Sequence, residues 1–215
     1  MSDTQAVVKV NCFVVGMVQT NFYYLHREGS KETIVFDPAD LGARLYEELE
    51  KQGLKVEAIF LTHAHFDHIL GLEALREKTG APVYACIHEK AVCEDSWLNQ
   101  SDSIGRPCTV HPDHYLNDGE EITAAGITLK LLHTPGHTEG SCAYYIEDGH
   151  ILISGDTLFQ GSVGRSDFPT GDGETLLESI RSRLYTLPED TTVFSGHGDV
   201  TTIGYEKKHN WFVRA

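Results

Sequence analysis

No run of apolar residues in this sequence approaches the ~20 needed to cross a bilayer. The opening MSDTQAVVKVNCFVVG also lacks the basic start and long apolar stretch of an export signal, so a cytoplasmic protein with no membrane association is expected. Basic residues are scarce: 17 Lys and Arg stand against 32 Asp and Glu, a formal net charge of -15. Such a field repels nucleic acid and anionic lipid, and neither is expected as a partner. The five cysteines (Cys12, Cys86, Cys93, Cys108, Cys142) are odd in number and no two stand in C-x-x-C spacing, which argues against a disulfide framework and for reduced core thiols. No Pro, Gly or Ser tract, single-sign charge block or short repeat divides the chain. Residues 1–215 therefore read as one domain, a length that a single core supports.

What is present is a succession of short apolar runs punctuated by turn residues. Stretches 7–18, 20–27 and 32–37 are rich in Val, Phe, Tyr and Ile and are broken by EGSK, which predicts an antiparallel meander of three strands. Leu41, Leu45 and Leu49 recur at helical spacing before Gly53, predicting an amphipathic helix. VEAIFLT (56–62) then reads as a buried strand, and ILGLEALREKTG as a helix. VYAC is expected to be a strand, His88 to Glu94 a short helix, and roughly 97 to 118 irregular. The second half repeats the plan: EEITAAGITLKLLHTP as a hairpin, SCAYYIEDGHILISG as two strands about an Asp-Gly turn, a Gly-rich loop, the helix ETLLESIRSRLYTL and the strand TTVFSG. Two similar halves of strands and helices predict an α/β fold, an αββα sandwich of two mixed sheets with helices on the outer faces and functional loops along one edge.

The densest chemistry is His63-x-His65-x-Asp67-His68, four potential ligands within six residues at the end of a predicted strand. On a loop, residues i and i+2 can face one point while Asp67 and His68 face another, and imidazole with carboxylate suits Zn²⁺, Fe and Mn²⁺. Three further candidates each follow a predicted strand: His137 in HTPGHTEGS, Asp156 in ISGDTLF and His197 in FSGHGDV. Singly each could cap a turn. Together with the first motif they complete the ligand count for two metals that share a carboxylate. His26, His88, His133, His150 and His209 stand outside any such cluster and read as ordinary surface or core groups, as does the pair His111-x-x-His114.

The motifs T-H-A-H-F-D-H, T-P-G-H, S-G-D-T and S-G-H-G resemble those of the metallo-β-lactamase superfamily, over nearly the whole chain. That resemblance implies His63, His65 and His137 at one metal, Asp67, His68 and His197 at the other, and Asp156 bridging. The segments GDTLFQGSVGRSDFPTGD and GHGDVTTIGYEKKHNWF are similar to the short glyoxalase II-like branch, the hydroxyacylglutathione hydrolase type. Thiol-ligated β-lactamases of the superfamily place Cys in the second site, where this chain has His68 and Asp156, so β-lactam hydrolysis is expected to be minor.

The expected cofactors are two divalent metal ions, Zn²⁺ first, with Fe or Mn²⁺ accepted by the same donors. The expected reaction is hydrolysis of a small-molecule thioester, an acyl-glutathione above others, by a hydroxide that both metals share and Asp67 orients. A thiol has a pKa of about 8.5, so thiolate departs without a dedicated acid, unlike an amine. Arg165, in the loop after Asp156, is the expected substrate contact for an anionic acyl-glutathione. The resemblance also leaves an iron-dependent persulfide dioxygenase, a lactone hydrolase and a non-catalytic metal-binding interaction module as alternatives.

Overall fold

The computed structural model describes residues 6–214. Alternating apolar and polar residues open the chain as β1 (Val8–Val15), which pairs antiparallel with β2 (Thr20–Arg27), and this in turn with β3 (Glu32–Phe36). Helix α1 (Gly42–Lys51) buries Leu45 and Leu49 and returns the chain to β4 (Lys55–Phe60), parallel to β3. The predicted helix after the His-rich motif is two helices, α2 (Phe66–Ile69) and α3 (Leu72–Thr79). Gly71 lies between them, where a Cβ would crowd the Pro38 carbonyl at 2.7 Å. Next come β5 (Val83–Cys86), a single 3₁₀ turn at Ile87–Glu89, α4 (Lys90–Glu94) and β6 (His114–Leu116), the last a short strand inside the stretch expected to be irregular. The first sheet runs β1-β2-β3-β4-β5-β6, antiparallel at one end and parallel from β3 onward.

The second half repeats this plan. Strands β7 (Glu121–Ala124), β8 (Ile127–His133), β9 (Cys142–Ile146) and β10 (Ile151–Gly155) form an antiparallel meander. The Gly-rich loop holds a small hairpin of β11 (Leu158–Phe159) and β12 (Ser162–Val163). Helix α5 (Gly173–Ser179), capped by the Asp172 carboxylate on the Thr175 amide, crosses over to β13 (Thr192–Ser195), parallel to β10. The helix expected to run on to residue 187 instead widens into a π turn at Ile180–Leu184, where the Tyr185 amide reaches the Ile180 carbonyl at 2.9 Å. β14 (Thr201–Thr202) and α6 (Ile203–His209) close the chain. The second sheet runs β14-β13-β10-β9-β8-β7.

Three apolar layers follow from which face each strand buries. Between the sheets lie Leu25, Ile34, Phe36 and Phe60 from the first and Leu129, Leu131, Tyr144 and Ile153 from the second. Outside the first sheet, Leu45, Leu49, Leu72, Leu75 and Val92 of the helices pack on its other face. Outside the second, Leu176, Ile180, Leu184 and Ile203 do the same. The result is the αββα sandwich of two mixed sheets that the sequence predicts. Of the five unpaired cysteines, Cys86, Cys93 and Cys142 are buried, Cys108 is half-buried and Cys12 is exposed, so the core-thiol expectation fails at Cys12. No helix among the described residues is long and apolar enough to cross a membrane.

Parallel pairing also decides where loops gather. β3, β4 and β5 point the same way in one sheet, and β8, β10 and β13 in the other, so the loops leaving their carboxyl ends share one edge of the sandwich. Phe60, fully buried, packs its ring against Phe36, Tyr84 and Tyr144 at 5.4, 5.1 and 5.3 Å, joining the two sheets just behind that edge. Phe60→Ala is expected to cost about 3–5 kcal/mol in denaturant unfolding. A cost below about 1 kcal/mol would show that this seam relaxes around the lost ring.

Candidate metal centre

All seven predicted ligands meet at this edge. His63, His65, Asp67 and His68 follow β4, His137 follows β8, Asp156 follows β10 and His197 follows β13. Three groupings converge to metal-binding distances: His63 with His65 and His137, Asp67 with His68 and His197, and His63 with His68 and Asp156. In the first, His137 Nε2 lies 2.8 Å from His65 Nδ1 and 3.1 Å from His63 Nε2. In the second, Asp67 Oδ2 lies 3.5 Å from His68 Nε2 and 3.2 Å from His197 Nε2. Asp156 stands between, with Oδ1 3.4 Å from His68 Nε2 and Oδ2 3.7 Å from His137 Nε2 and 3.5 Å from His197 Nε2.

Hydrogen bonds behind the rings fix which nitrogen faces inward. Asp37, at the end of β3, takes the Thr62 amide on Oδ1 at 2.8 Å, and the Thr62 hydroxyl and the His68 Nδ1–H on Oδ2 at 2.7 and 2.9 Å. With its own proton given to Asp37, the Thr62 hydroxyl accepts from His63 Nδ1 at 3.1 Å. His137 Nδ1 donates to the Arg165 carbonyl at 2.6 Å. Each of these three rings therefore turns its Nε2 toward the centre. On the Asp67 side, the Thr20 hydroxyl donates to Oδ2 at 2.9 Å. Asn21 holds the His197 loop through the Ser195 and Gly198 carbonyls at 2.8 and 3.0 Å.

The donor set fits a pair of cations. With His63 and His137 each donating through Nδ1, their Nε2 lone pairs face each other at 3.1 Å, a contact that a cation between them would relieve, and His68 Nε2 and Asp156 Oδ1 are buried without a hydrogen-bond partner. The two halves differ electrostatically. Burial lowers His63 well below the ordinary imidazole value, takes His65 down to about 3 and lowers His137, leaving neutral ligands. Burial opposes charge at His68 too, but Asp67, Asp156 and Asp37 hold it well above the usual value. Against the same cost, hydrogen bonds to Asp156 and Asp67 push His197 up to about 10. Although burial raises them, the facing imidazoles bring both Asp67 and Asp156 below the usual carboxylate range. Cations bound at the second half would therefore compete with protons for their donors more than cations at the first.

His63, His65, His68 and His137 are buried, while the side chains of His197, Asp67 and Asp156 keep 26%, 13% and 11% of their exposure, so the solvent-accessible donors belong to the second half and to Asp156. Phe168 stands edge-on to His65 at 5.4 Å, and Phe159 edge-on to His197 at 6.1 Å, as apolar walls. The Arg165 guanidinium lies 3.7 Å over the Phe168 ring and is held by Asp167 through two bonds of 2.7 and 2.8 Å. His111 stands beside Glu94 and His114 stacks on Tyr84, and neither joins a metal-binding triad among the described residues.

Sequence reasoning misses Asp37, Thr20, Asn21 and Glu89. Asp37 carries a readable signal, since it follows its strand in VFDP as Asp156 follows its own in ISGD. The others carry none, because only the tertiary fold brings them to the edge.

The family model described as the metallo-beta-lactamase superfamily matches residues 15–197. A probable metallo-hydrolase of Bacillus subtilis, YqgX, is 43% identical over 93% of this chain and 94% of its own. The hydroxyacylglutathione hydrolase GloC of Haemophilus influenzae is 34% identical over 87% and 90%. Among solved structures, the BLEG-1 B3 metallo-beta-lactamase superposes with a TM-score of 0.91 at 42% identity, covering 96% of this chain and all of that one. TTHA1623 in a di-iron-bound form gives 0.84 at 35% identity, over 95% and 100%.

Gly196 offers a test of the packing around the centre. A Cβ there would overlap Asp156 Oδ1 and lie 2.8 Å from His68 Cε1. Gly196→Ala is expected to weaken metal binding at the second half about 10-fold or more while the fold survives, as measured by chelator competition beside a thermal melt. Unchanged binding of both metal equivalents would count against the tight packing of Asp156 and His68.

Proposed function

The chain belongs to the metallo-beta-lactamase superfamily, and from that premise we propose that it is a metal-dependent hydrolase of thioesters, with an acyl-glutathione as the substrate class. The observation that carries the reading is the donor set itself: two half-sites around Asp156, the second furnished by Asp67, His68 and His197. The likeness to a hydroxyacylglutathione hydrolase at 34% identity supports the choice of substrate. His63, His65 and His137 would hold one ion, Asp67, His68 and His197 the other, with Asp156 between. Ions bound there supply Lewis acidity and lower the pKa of a coordinated water to about 7. Zn²⁺ suits the donors, and the di-iron form of TTHA1623 makes iron the alternative.

The remaining steps belong to the chain's own groups. Asp67, fixed by Thr20 and His197, orients the attacking water on the open side of the centre. A carboxylate that ligates a cation is ionised, so neither Asp67 nor Asp156 is free to protonate a leaving group. That favours a leaving group which departs as an anion, and thiolate with a pKa of about 8.5 does so where an amine does not. Phe168 and Phe159 border the path of the acyl and thiol portions, and Arg165 is offered as the contact for an anionic end of the substrate.

Metal-loaded protein is expected to release thiol from S-D-lactoylglutathione, with His65→Ala and Asp156→Ala each losing at least about 100-fold in kcat. Oxygen uptake with glutathione persulfide and no thiol release would replace this reading with the dioxygenase. The BLEG-1 likeness favours a second reading, β-lactam hydrolysis, and turnover of a cephalosporin with no thioester activity would establish it instead. Arg165→Ala is expected to raise KM several-fold and leave kcat unchanged. Since Asp167 already neutralises Arg165, an unaltered KM would remove Arg165 from the substrate site.

A further inference from the structure

Glu89 is a buried carboxyl group that the proposed chemistry does not use. It ends the 3₁₀ turn that follows β5 and is 1% exposed. Its Oε1 accepts the Ala64 amide at 2.8 Å and its Oε2 accepts the Thr138 hydroxyl at 2.7 Å, with the Gly140 amide also directed at it. Ala64 stands between His63 and His65, and Thr138 follows His137. Burial pushes the carboxyl up to about 8, with Thr138, Ala64 and Gly140 opposing the rise.

We propose that Glu89 is a positioning residue that sets the separation of the His63–His65 loop from the His137 loop, and thereby the geometry of the three-histidine half-site. The proposal rests on reading those histidines as metal ligands. An unpaired buried carboxyl is costly, and this one stays in the core where its two oxygens bind one loop each. The main chain repeats the contact: a Cβ on Gly140 would overlap the Glu89 backbone, so the His137 loop lies directly against this turn. Thr138 is fixed in turn, since its hydroxyl is 2.7 Å from the Ser141 hydroxyl and its amide donates to that oxygen at 3.0 Å. A displacement of either loop would open the 2.8 and 3.1 Å spacings of the ring nitrogens, on which a small cation depends.

The test uses Glu89→Ala and Glu89→Gln beside His65→Ala, in full-length protein stripped with a chelator and titrated with Zn²⁺ against a chromophoric competitor. Glu89→Ala is expected to weaken the same metal equivalent that His65→Ala removes, by about 10- to 100-fold, and to leave the other unchanged. With both equivalents forced on by excess Zn²⁺, kcat is expected to stay low and KM to stay normal. Glu89→Gln keeps an acceptor for the Ala64 amide and is expected to recover part of the lost affinity. A lower melting temperature of stripped Glu89→Ala with both equivalents bound as in the parent would overturn the proposal and leave Glu89 a packing residue. If Glu89→Ala does not fold, Glu89→Gln decides by the same titration, parental affinity overturning the proposal. Failure of the parent protein to bind Zn²⁺ would instead sink the metal-ligand reading, separately from Glu89.

Discussion

One buried carboxylate, Asp37, holds groups in both halves of the candidate metal centre. It is 2% exposed and accepts three bonds, two from Thr62 and one from His68. Through the Thr62 hydroxyl it orients His63, and directly it orients His68, so a single group sets the inward nitrogen of one imidazole in each half of the centre. The carboxyl ends of β3 and β4 are tied by the same contacts, because Asp37 leaves one and Thr62 the other. A positive φ of 49° at Asp37 shows the backbone bent to deliver it.

Around that anchor the two halves are supported differently. The three-histidine half lies between two loops and is buried, and burial favours the neutral form of its rings. The other half is partly open and dense in charge, with Asp67 fixed by Thr20 and the His197 loop fixed by Asn21 from the start of β2. Desolvation governs the closed half and coulombic pairing the open one. The partly exposed donors, Asp67, Asp156 and His197, are thus the ones dense in charge, while the three-histidine half is the buried one.

The candidate ligands were legible in the sequence because they sit on short loops at strand ends, where residue type, spacing and position together single them out. His63, His65, Asp67 and His68 form one motif, and His137, Asp156 and His197 share the context of a strand just ended. The sheets were legible for a similar reason, since period-2 alternation over seven or eight residues marks β1 and β8, and an aromatic-rich run marks β2. Two-residue strands such as β11, β12 and β14 carry no period at all. The π turn at Ile180–Leu184 keeps the composition of a helix, so only its hydrogen bonds reveal it.

Sequence alone determined the chemistry of the donors and the plan of two strand-rich halves, because both are written in neighbouring residues. Tertiary structure decided which groups stand behind those donors. Asn21, Asp37 and Glu89 reach residues 195, 62 and 138 across 174, 25 and 49 positions of chain. A lone Asn, Asp or Glu in sequence reads as a solvated or capping group. Only the shared edge created by parallel strands buries each one against a loop, and there an unsatisfied donor or acceptor costs enough to hold the loop in place.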